Sequence, residues 1–466
     1  MNTPQKTIMN ANLFSRLFDN LDNPARLAIE MLDGKHISYG DLIAMAGQTA
    51  NVLVAAGVKP GDRVAAQIEK SVPGLVLYLA TVRAGAVYLP LNTAYTLNEL
   101  EYFLTDAEPS LVICDPAKAD GIGAIAARIG ARVMTLAADG KGSLTEAAAK
   151  AKPEFTTVAR DDDDLAAILY TSGTTGRSKG AMLTHDNLAS NSFSLVDYWR
   201  FTDKDVLIHA LPIYHTHGLF VASNVTLFAR ASMIFLPKFD PEMIIKLMSR
   251  ATVMMGVPTF YTRLLQSPSL TKEAAKHMRL FISGSAPLLA DTHREWSART
   301  GFAILERYGM TETNMNTSNP YDGDRVPGAV GRALPGVSVR VTDPETGKEL
   351  APDSIGMIEV KGSNVFKGYW RMPEKTKAEF RDDGFFITGD LGKIDPNGYV
   401  HILGRGKDLV ISGGFNVYPK EIESEIDAMP GVAESAVIGL PHPDLGEAVT
   451  AVIVPLAGGA LTQETV

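Results

Sequence analysis

Between residues 10 and 140, short apolar β-rich runs alternate with longer amphipathic ones. Val64-Ala-Ala-Gln-Ile68 and Leu111-Val-Ile-Cys114 have the length and composition of strands, whereas Pro73 to Ala84 and Leu97 to Leu104 carry helical spacing. This alternation predicts a largely parallel sheet with helices on both faces. A polar bridge follows, with Lys150 to Pro153 and the acidic run Asp161 to Asp164, which reads as a solvated loop. A second α/β stretch runs from Leu165 to about Ile304. Its expected strands are Val206–Ala210, Ser232–Leu236, Thr252–Met255 and Leu280–Ser283, with helices over Pro241–Ser249 and Ala290–Thr300. From about Gly331 the pattern turns to hairpins. Asp343-Pro-Glu-Thr-Gly347 and Asp395-Pro-Asn-Gly398 are turn sequences between alternating apolar residues, and they predict a small antiparallel sheet or barrel. After Gly404 come a hairpin-like Leu409 to Gly414, a helix with Pro419 near its start and Ile422, Ile426 and Met429 at helical spacing, and strands over Ala433–Leu440 and Ala448–Val454. The expected fold class is α/β. A large N-terminal domain (1–404) divides into α/β subdomains at about 10–164 and 165–330 and a β-rich subdomain at about 331–404. A thin, partial α+β C-terminal domain (405–466) follows, and it reads as cut short.

One loop stands out from this pattern. Residues 170–180 read Tyr-Thr-Ser-Gly-Thr-Thr-Gly-Arg-Ser-Lys-Gly, between the apolar runs Leu165–Tyr170 and Ala181–Leu183. Glycine lets backbone N–H groups approach an anion closely, hydroxyls donate to phosphate oxygens, and Lys179 adds a point charge. Strand, loop, strand is expected here, with phosphate as the ligand class. The Walker A spacing is absent.

Composition narrows the class further. The 466 residues are 45% hydrophobic and 21% charged, an ordinary balance for a globular protein with ample core. A net charge of −9 disfavours a nucleic-acid partner. The single cysteine, Cys114, rules out an intramolecular disulfide and, set among Leu111, Val112 and Ile113, reads as a buried strand thiol. The start of the chain lacks the basic-then-apolar pattern of a secretory signal, and Met9 is an alternative start. The longest uncharged run, Val206 to Ala229, contains Pro212, three histidines and Gly218, so a buried strand-and-helix segment is expected there rather than a membrane span. A cytoplasmic location follows as the expectation.

Four later motifs join the loop in order: Glu306-Arg-Tyr-Gly-Met-Thr-Glu312, Thr388-Gly-Asp390, Gly404-Arg-Gly-Lys-Asp408 and Ser412-Gly-Gly-Phe-Asn416. Together they resemble the acyl-adenylate-forming superfamily of acyl-CoA synthetases, adenylation domains and luciferases, from about Leu13 to the end. Leu211-Pro-Ile-Tyr-His-Thr-His-Gly218, Gly256 to Arg263, Ser283 to Pro287 and Tyr308 to Ser318 resemble the malonyl-CoA synthetase branch. The resemblance implies that a carboxylate, malonate in that branch, attacks the α-phosphorus of ATP and that the thiol of coenzyme A then displaces AMP. Both steps rest on positioning and charge stabilisation.

What the resemblance implies residue by residue is as follows. Thr171, Ser172, Gly173, Thr174, Thr175, Gly176 and Lys179 hold the β- and γ-phosphates. Glu312, after Thr311, takes Mg²⁺, since a hard carboxylate beside substrate phosphates suits that ion. Asp390 accepts from the ribose hydroxyls, and Arg405 bridges ribose and phosphate. Ser285, Ala286, Pro287, Glu306, Arg307 and Tyr308 line the adenine, with Tyr308 as the stacking face, and Gly309, Met310 and Thr311 belong to the same nucleotide site. Lys407 is the hinge between the two half-reactions, and Gly413 and Gly414 border the coenzyme A thiol. A second carboxylate needs a cation and donors in an apolar pocket. Arg263 is the candidate cation, with Ser285, Met310 closing the pocket and His215 as gate; His209 and His217 read as packing or supporting residues.

The chain departs from the family at one point. The resemblance implies a catalytic lysine late in the C-terminal domain, and no Lys follows Lys420. The chain as written is therefore expected to adenylate poorly. Alternatives within the same chemistry are a ligase for methylmalonate or another short carboxylate, and an adenylation module that loads a carrier protein; a catalytically silent nucleotide-binding remnant is the third.

Overall fold

The computed structural model describes residues 10–171, 177–412 and 415–456. Its first sheet grows from Leu111–Cys114, buried on both faces, as a short continuous apolar run in a parallel sheet must be. The seven strands run in the order Gly368–Tyr369, Lys179–Thr184, Leu165–Thr171, Val87–Pro90, Arg63–Gln67, Leu111–Cys114, Arg132–Thr135. The last five are mutually parallel. The first two are added antiparallel, Thr171 facing Lys179 across the ladder. The phosphate-type loop thus joins two neighbouring antiparallel strands, as its flanking runs predict.

The second sheet has nine strands: Arg332–Ala333, Asn314–Ser318, Leu305–Met310, Leu280–Ser283, Val253–Gly256, Val206–His209, Ser232–Phe235, Leu27–Met31, His36–Ser38. From Leu305–Met310 to Leu27–Met31 they are parallel. The sheets do not divide at residue 164. Leu27–Ser38 closes the second sheet, with Ile29 opposite Met233, while Leu165–Thr184 joins the first. Sequence order sets neither edge, because an open sheet accepts any strand whose apolar face finds cover. A single core runs between the sheets and includes Leu13, Phe14, Tyr39, Tyr78 and Trp199. Helix Val72–Arg83 lies within it, every residue except Pro73 buried, as an apolar sequence on all sides requires.

Val206 to Ala229 folds into strand Val206–His209, a π-helical turn His217–Ser223 and helix Asn224–Phe228, the latter two almost wholly buried. No helix among the described residues is long and apolar enough to cross a membrane. The small antiparallel sheet follows the order Val337–Thr342, Gly356–Gly362, Phe386–Ile394, Val400–Arg405. Its turns use the expected chemistry: Asp395 Oδ1 accepts from the N–H groups of Asn397 and Tyr399 at 2.9 Å, and Gly398 supplies φ +84°. The C-terminal unit is a four-stranded sheet, Phe415–Val417, Val410–Ser412, Gly446–Pro455, Val432–His442, with helix Pro419–Asp427 packed on it. Its core among the described residues is Ile426, Val432 and Val437.

Candidate nucleotide and acyl site

A cleft of about 760 Å³ opens where parallel strands Leu280–Ser283 and Leu305–Met310 end, and the small sheet and C-terminal unit complete its walls. Crevices beyond the carboxyl ends of parallel strands are where open α/β sheets bind ligands. Register explains one wall. Asp390 and Arg405 face each other across neighbouring strands, and Arg405 Nε lies 2.9 Å from Asp390 Oδ1. Tyr308 donates its phenolic hydrogen to Asp390 Oδ2. Burial pushes the Asp390 carboxyl up from its ordinary value, while Arg405 and Tyr308 pull it down. Glu306 lines the cleft too, but its carboxylate is occupied by His293 Nδ1 at 2.9 Å and the Gly328 N–H at 3.2 Å. Both contacts fall on Oε1.

Ser285, Ala286 and Pro287 form an exposed lip. Ser285 adopts φ +73°, a left-handed conformation costly for a residue with a Cβ. That turn sets Ser285 Oγ 3.2 Å from His217 Nδ1. Behind the lip lies Arg307. Its guanidinium packs on Gly284, where a Cβ would stand 2.5 Å from the guanidinium carbon. Arg307 is 3% exposed, and its Nε and Nη2 donors have no partner among the described residues. Burial lowers its pKa to about 9. His217 Nε2, Thr216 Oγ1 and Ser283 Oγ are also buried and unpartnered among the described residues. A buried guanidinium beside idle donors is an unmet demand for an anion. Met310 is half-buried, and His215 is exposed with its ring 4.5 Å from Tyr214. Arg263 is exposed on the last turn of helix Pro258–Leu265, with no ion pair among the described residues. The same helix carries Tyr261, whose pKa the charge of Arg307 lowers against a larger rise from burial.

On the phosphate side, Thr171 ends one strand and Lys179 starts the next. Ser172, Gly173, Thr174, Thr175 and Gly176 lie outside the described residues. Thr311 and Glu312 occupy the turn of the hairpin between Leu305–Met310 and Asn314–Ser318, and Gly309 approaches the Asn314 carbonyl too closely for a Cβ, at 1.8 Å. Glu312 is buried, which raises its pKa. The Tyr369 hydroxyl is 3.1 Å from it. No cluster of three or more His, Cys, Asp or Glu suited to a metal exists among the described residues. A lone buried carboxylate fits a hard cation whose other ligands are substrate oxygens and water. Lys407 lies exposed in the 3₁₀ turn Gly406–Asp408, which links the small sheet to the C-terminal one. Gly413 and Gly414 lie outside the described residues.

Two contacts escape sequence reasoning. Lys179 is ion-paired to Glu379, and Tyr369 joins Glu379 to Glu312. Glu379 follows a helical stretch of mixed charge, Pro373-Glu-Lys-Thr-Lys-Ala378, with nothing local to mark it. His217, expected as a packing or supporting residue, lies with Nδ1 3.2 Å from Ser285 Oγ.

The model of the AMP-binding enzyme family matches residues 19–370, and that of the AMP-binding enzyme C-terminal domain matches 421–466. The chain is 37% identical over 482 residues to a malonate–CoA ligase of Arabidopsis thaliana, covering 95% of this chain and 78% of the relative. It is 38% identical over 434 residues to a feruloyl-CoA synthase of Amycolatopsis sp, covering 92% and 85%. Among solved structures, ATP-bound MatB from Rhodopseudomonas palustris shares 79% identity with a TM-score of 0.97, over 98% of this chain and 91% of that one. Because these matches run through the strands that form the cleft and on into the C-terminal unit, the chain belongs to the AMP-binding enzyme family.

Proposed function

We propose that the protein is a malonate–CoA ligase. One malonate carboxylate attacks the α-phosphorus of ATP, forming the acyl–phosphate bond as the bond to pyrophosphate breaks. The thiol of coenzyme A then attacks the acyl carbon, and AMP leaves. Lys179, Thr171 and the hydroxyls of 172–176 hold the β- and γ-phosphates. Asp390 and Arg405 take the ribose and its phosphate, Tyr308 the adenine. Glu312 would hold Mg²⁺, which would offset charge on the phosphates. His215 stands at the mouth, Met310 limits the acyl pocket, Gly413 and Gly414 border the thiol, and Lys407 is the hinge.

The observation that carries the substrate reading is Arg307, which this reading moves from the adenine lining implied by the resemblance to the acyl end of the cleft. Its two idle donors, next to Ser285 and His217, call for an anion at the far end of the acyl group, which a second carboxylate supplies and acetate or ferulate does not. Arg263, on the same helix as Tyr261, is the second cation in this reading. The malonate–CoA ligase relative also matches over a longer stretch than the feruloyl-CoA synthase, 482 residues against 434. The lone, buried Cys114 accords with a reducing, cytoplasmic setting.

The test is pyrophosphate release with ATP, Mg²⁺ and malonate, methylmalonate, succinate, acetate or benzoate, with and without coenzyme A. Thermal shift by each acid at fixed ATP runs beside it. Selective turnover and stabilisation by malonate are expected. Preference for acetate or benzoate would overturn the assignment.

A further inference from the structure

Lys179 does not face the loop with its charge free. Its Nζ lies 3.1 Å from Glu379 Oε1 and 4.1 Å from the centre of the Tyr369 ring, and both partners of the ion pair are mostly buried, at 11% and 19% side-chain exposure. Glu379 has two further partners: Lys375 Nζ at 2.9 Å and the Tyr369 hydroxyl, which donates to Oε2 at 2.6 Å. These hydrogen bonds hold the Glu379 carboxyl below its usual range although burial pushes the other way, so Glu379 is an anion. It also caps the C-terminal end of helix Pro373–Ala378, where the backbone carbonyls disfavour negative charge. An anion kept there against the helix field depends on its lysine partners.

The same tyrosine reaches the other side of the site. Its hydroxyl is 3.1 Å from Glu312 Oε1, so one phenolic hydrogen serves two carboxylates. Glu379 has the shorter contact. Lys179, Glu379, Tyr369 and Glu312 therefore form one connected network at the place where phosphates are expected.

We propose that Glu379 is a positioning residue that competes with the phosphates of ATP and pyrophosphate for Lys179, weakening their binding without affecting AMP. This rests on the reading of Lys179 as a phosphate ligand. A phosphate oxygen reaching Nζ meets a lysine that already has a counter-ion, and it brings its own charge near the Glu379 carboxylate. In a partly dry site that juxtaposition is unfavourable and only weakly screened. AMP carries neither β- nor γ-phosphate and does not meet it. The consequence for catalysis is that pyrophosphate, once displaced from ATP as the adenylate forms, is not retained by the lysine that oriented it.

Dissociation constants of pyrophosphate, of a non-cleavable α,β-methylene ATP and of AMP test this, measured by calorimetry at fixed ionic strength for the unaltered chain, Glu379→Gln and Lys179→Met. Glu379→Gln keeps an acceptor for Tyr369 and removes the charge. It is expected to tighten pyrophosphate and the ATP analogue by about two- to tenfold, as the loss of a mostly buried like charge beside the phosphates would, with AMP unchanged. Lys179→Met is expected to weaken the same two ligands. If Lys179→Met leaves them unchanged, the phosphate reading of Lys179 fails and this inference with it. If Lys179→Met weakens them but Glu379→Gln leaves pyrophosphate unchanged or weaker, or shifts AMP by the same factor, the role of Glu379 alone is overturned. Glu379→Ala, which also removes the carboxylate, carries the same expectations and replaces the Gln variant should that one not fold.

Discussion

Arg307 and Lys70 are both buried basic side chains without a carboxylate partner among the described residues, and they lead to different expectations. Arg307 keeps two donors idle beside the acyl lip. Arg307→Met is expected to lower kcat/KM for malonate by roughly ten- to over a hundredfold, the range for a lost charged hydrogen bond of about 1.5–3 kcal/mol. Its melting temperature is expected to stay level or rise, because an uncompensated buried charge is removed. Unchanged malonate kinetics with a lower melting temperature would make Arg307 structural. The pH dependence has a definite sign. Arg307 loses its proton as pH rises through about 9, so kcat/KM for malonate should fall above that pH while that for acetate should not. Lys70 instead donates to the His209 carbonyl at 2.7 Å and lies 2.9 Å from His209 Nδ1, and burial drives its pKa well below the ordinary value. Between the lowered native value and the unfolded one, the unfolded chain binds a proton that the native one does not. Stability therefore rises with pH until the unfolded lysine titrates, near pH 10. Lys70→Met should flatten that rise by up to about 1.4 kcal/mol per pH unit, read from unfolding at a series of pH values.

The π-helical turn His217–Ser223 shows how an element places chemistry. Its Gly218 carbonyl accepts from the Ser223 hydroxyl at 2.9 Å and lies 3.0 Å from His209 Nε2, so the turn is tied to strand Val206–His209 below it. Gly218 has no room for a side chain: a Cβ would lie 1.9 Å from the Pro212 carbonyl oxygen. Gly218→Ala is expected to destabilise by about 1–3 kcal/mol, as overpacked cores do, and to weaken malonate binding through His217 and Ser285; denaturant unfolding and a malonate titration check both. Ordinary elements are easier to read from their residues. Leu111–Cys114 and Leu280–Ser283 fall where their patterns place them, because each is a continuous apolar run, and helix Ala290–Thr300 keeps its expected bounds. The π turn is not legible in this way, since its apolar residues follow neither period cleanly and its form depends on what lies beneath it.

The cleft is shared between the small sheet and the C-terminal unit, which a short link joins. Gly406–Asp408 joins strand Val400–Arg405 of the small sheet to Val410–Ser412 of the C-terminal sheet, and residues of both line the cleft. Lys407→Pro restricts one backbone torsion at that link. If Lys407 is the hinge, the variant should slow one half-reaction far more than the other, measured separately as pyrophosphate release and as thioester formation from supplied acyl-adenylate. Equal loss in both would remove Lys407 from that role. The amino-acid sequence by itself determined the local features: the alternation of strand and helix runs, the turns at Asp343 and Asp395, the hydroxyl-rich loop ending at Lys179, and the motifs holding Glu312 and Asp390. Each is written within a dozen neighbouring residues. Three matters were settled by folding: which strands close which sheet, the burial of Arg307 against Gly284 with two donors left idle, and the pairing of Lys179 with Glu379 across 200 positions of chain. These depend on which distant surfaces leave water together, and no local stretch of sequence carries that information.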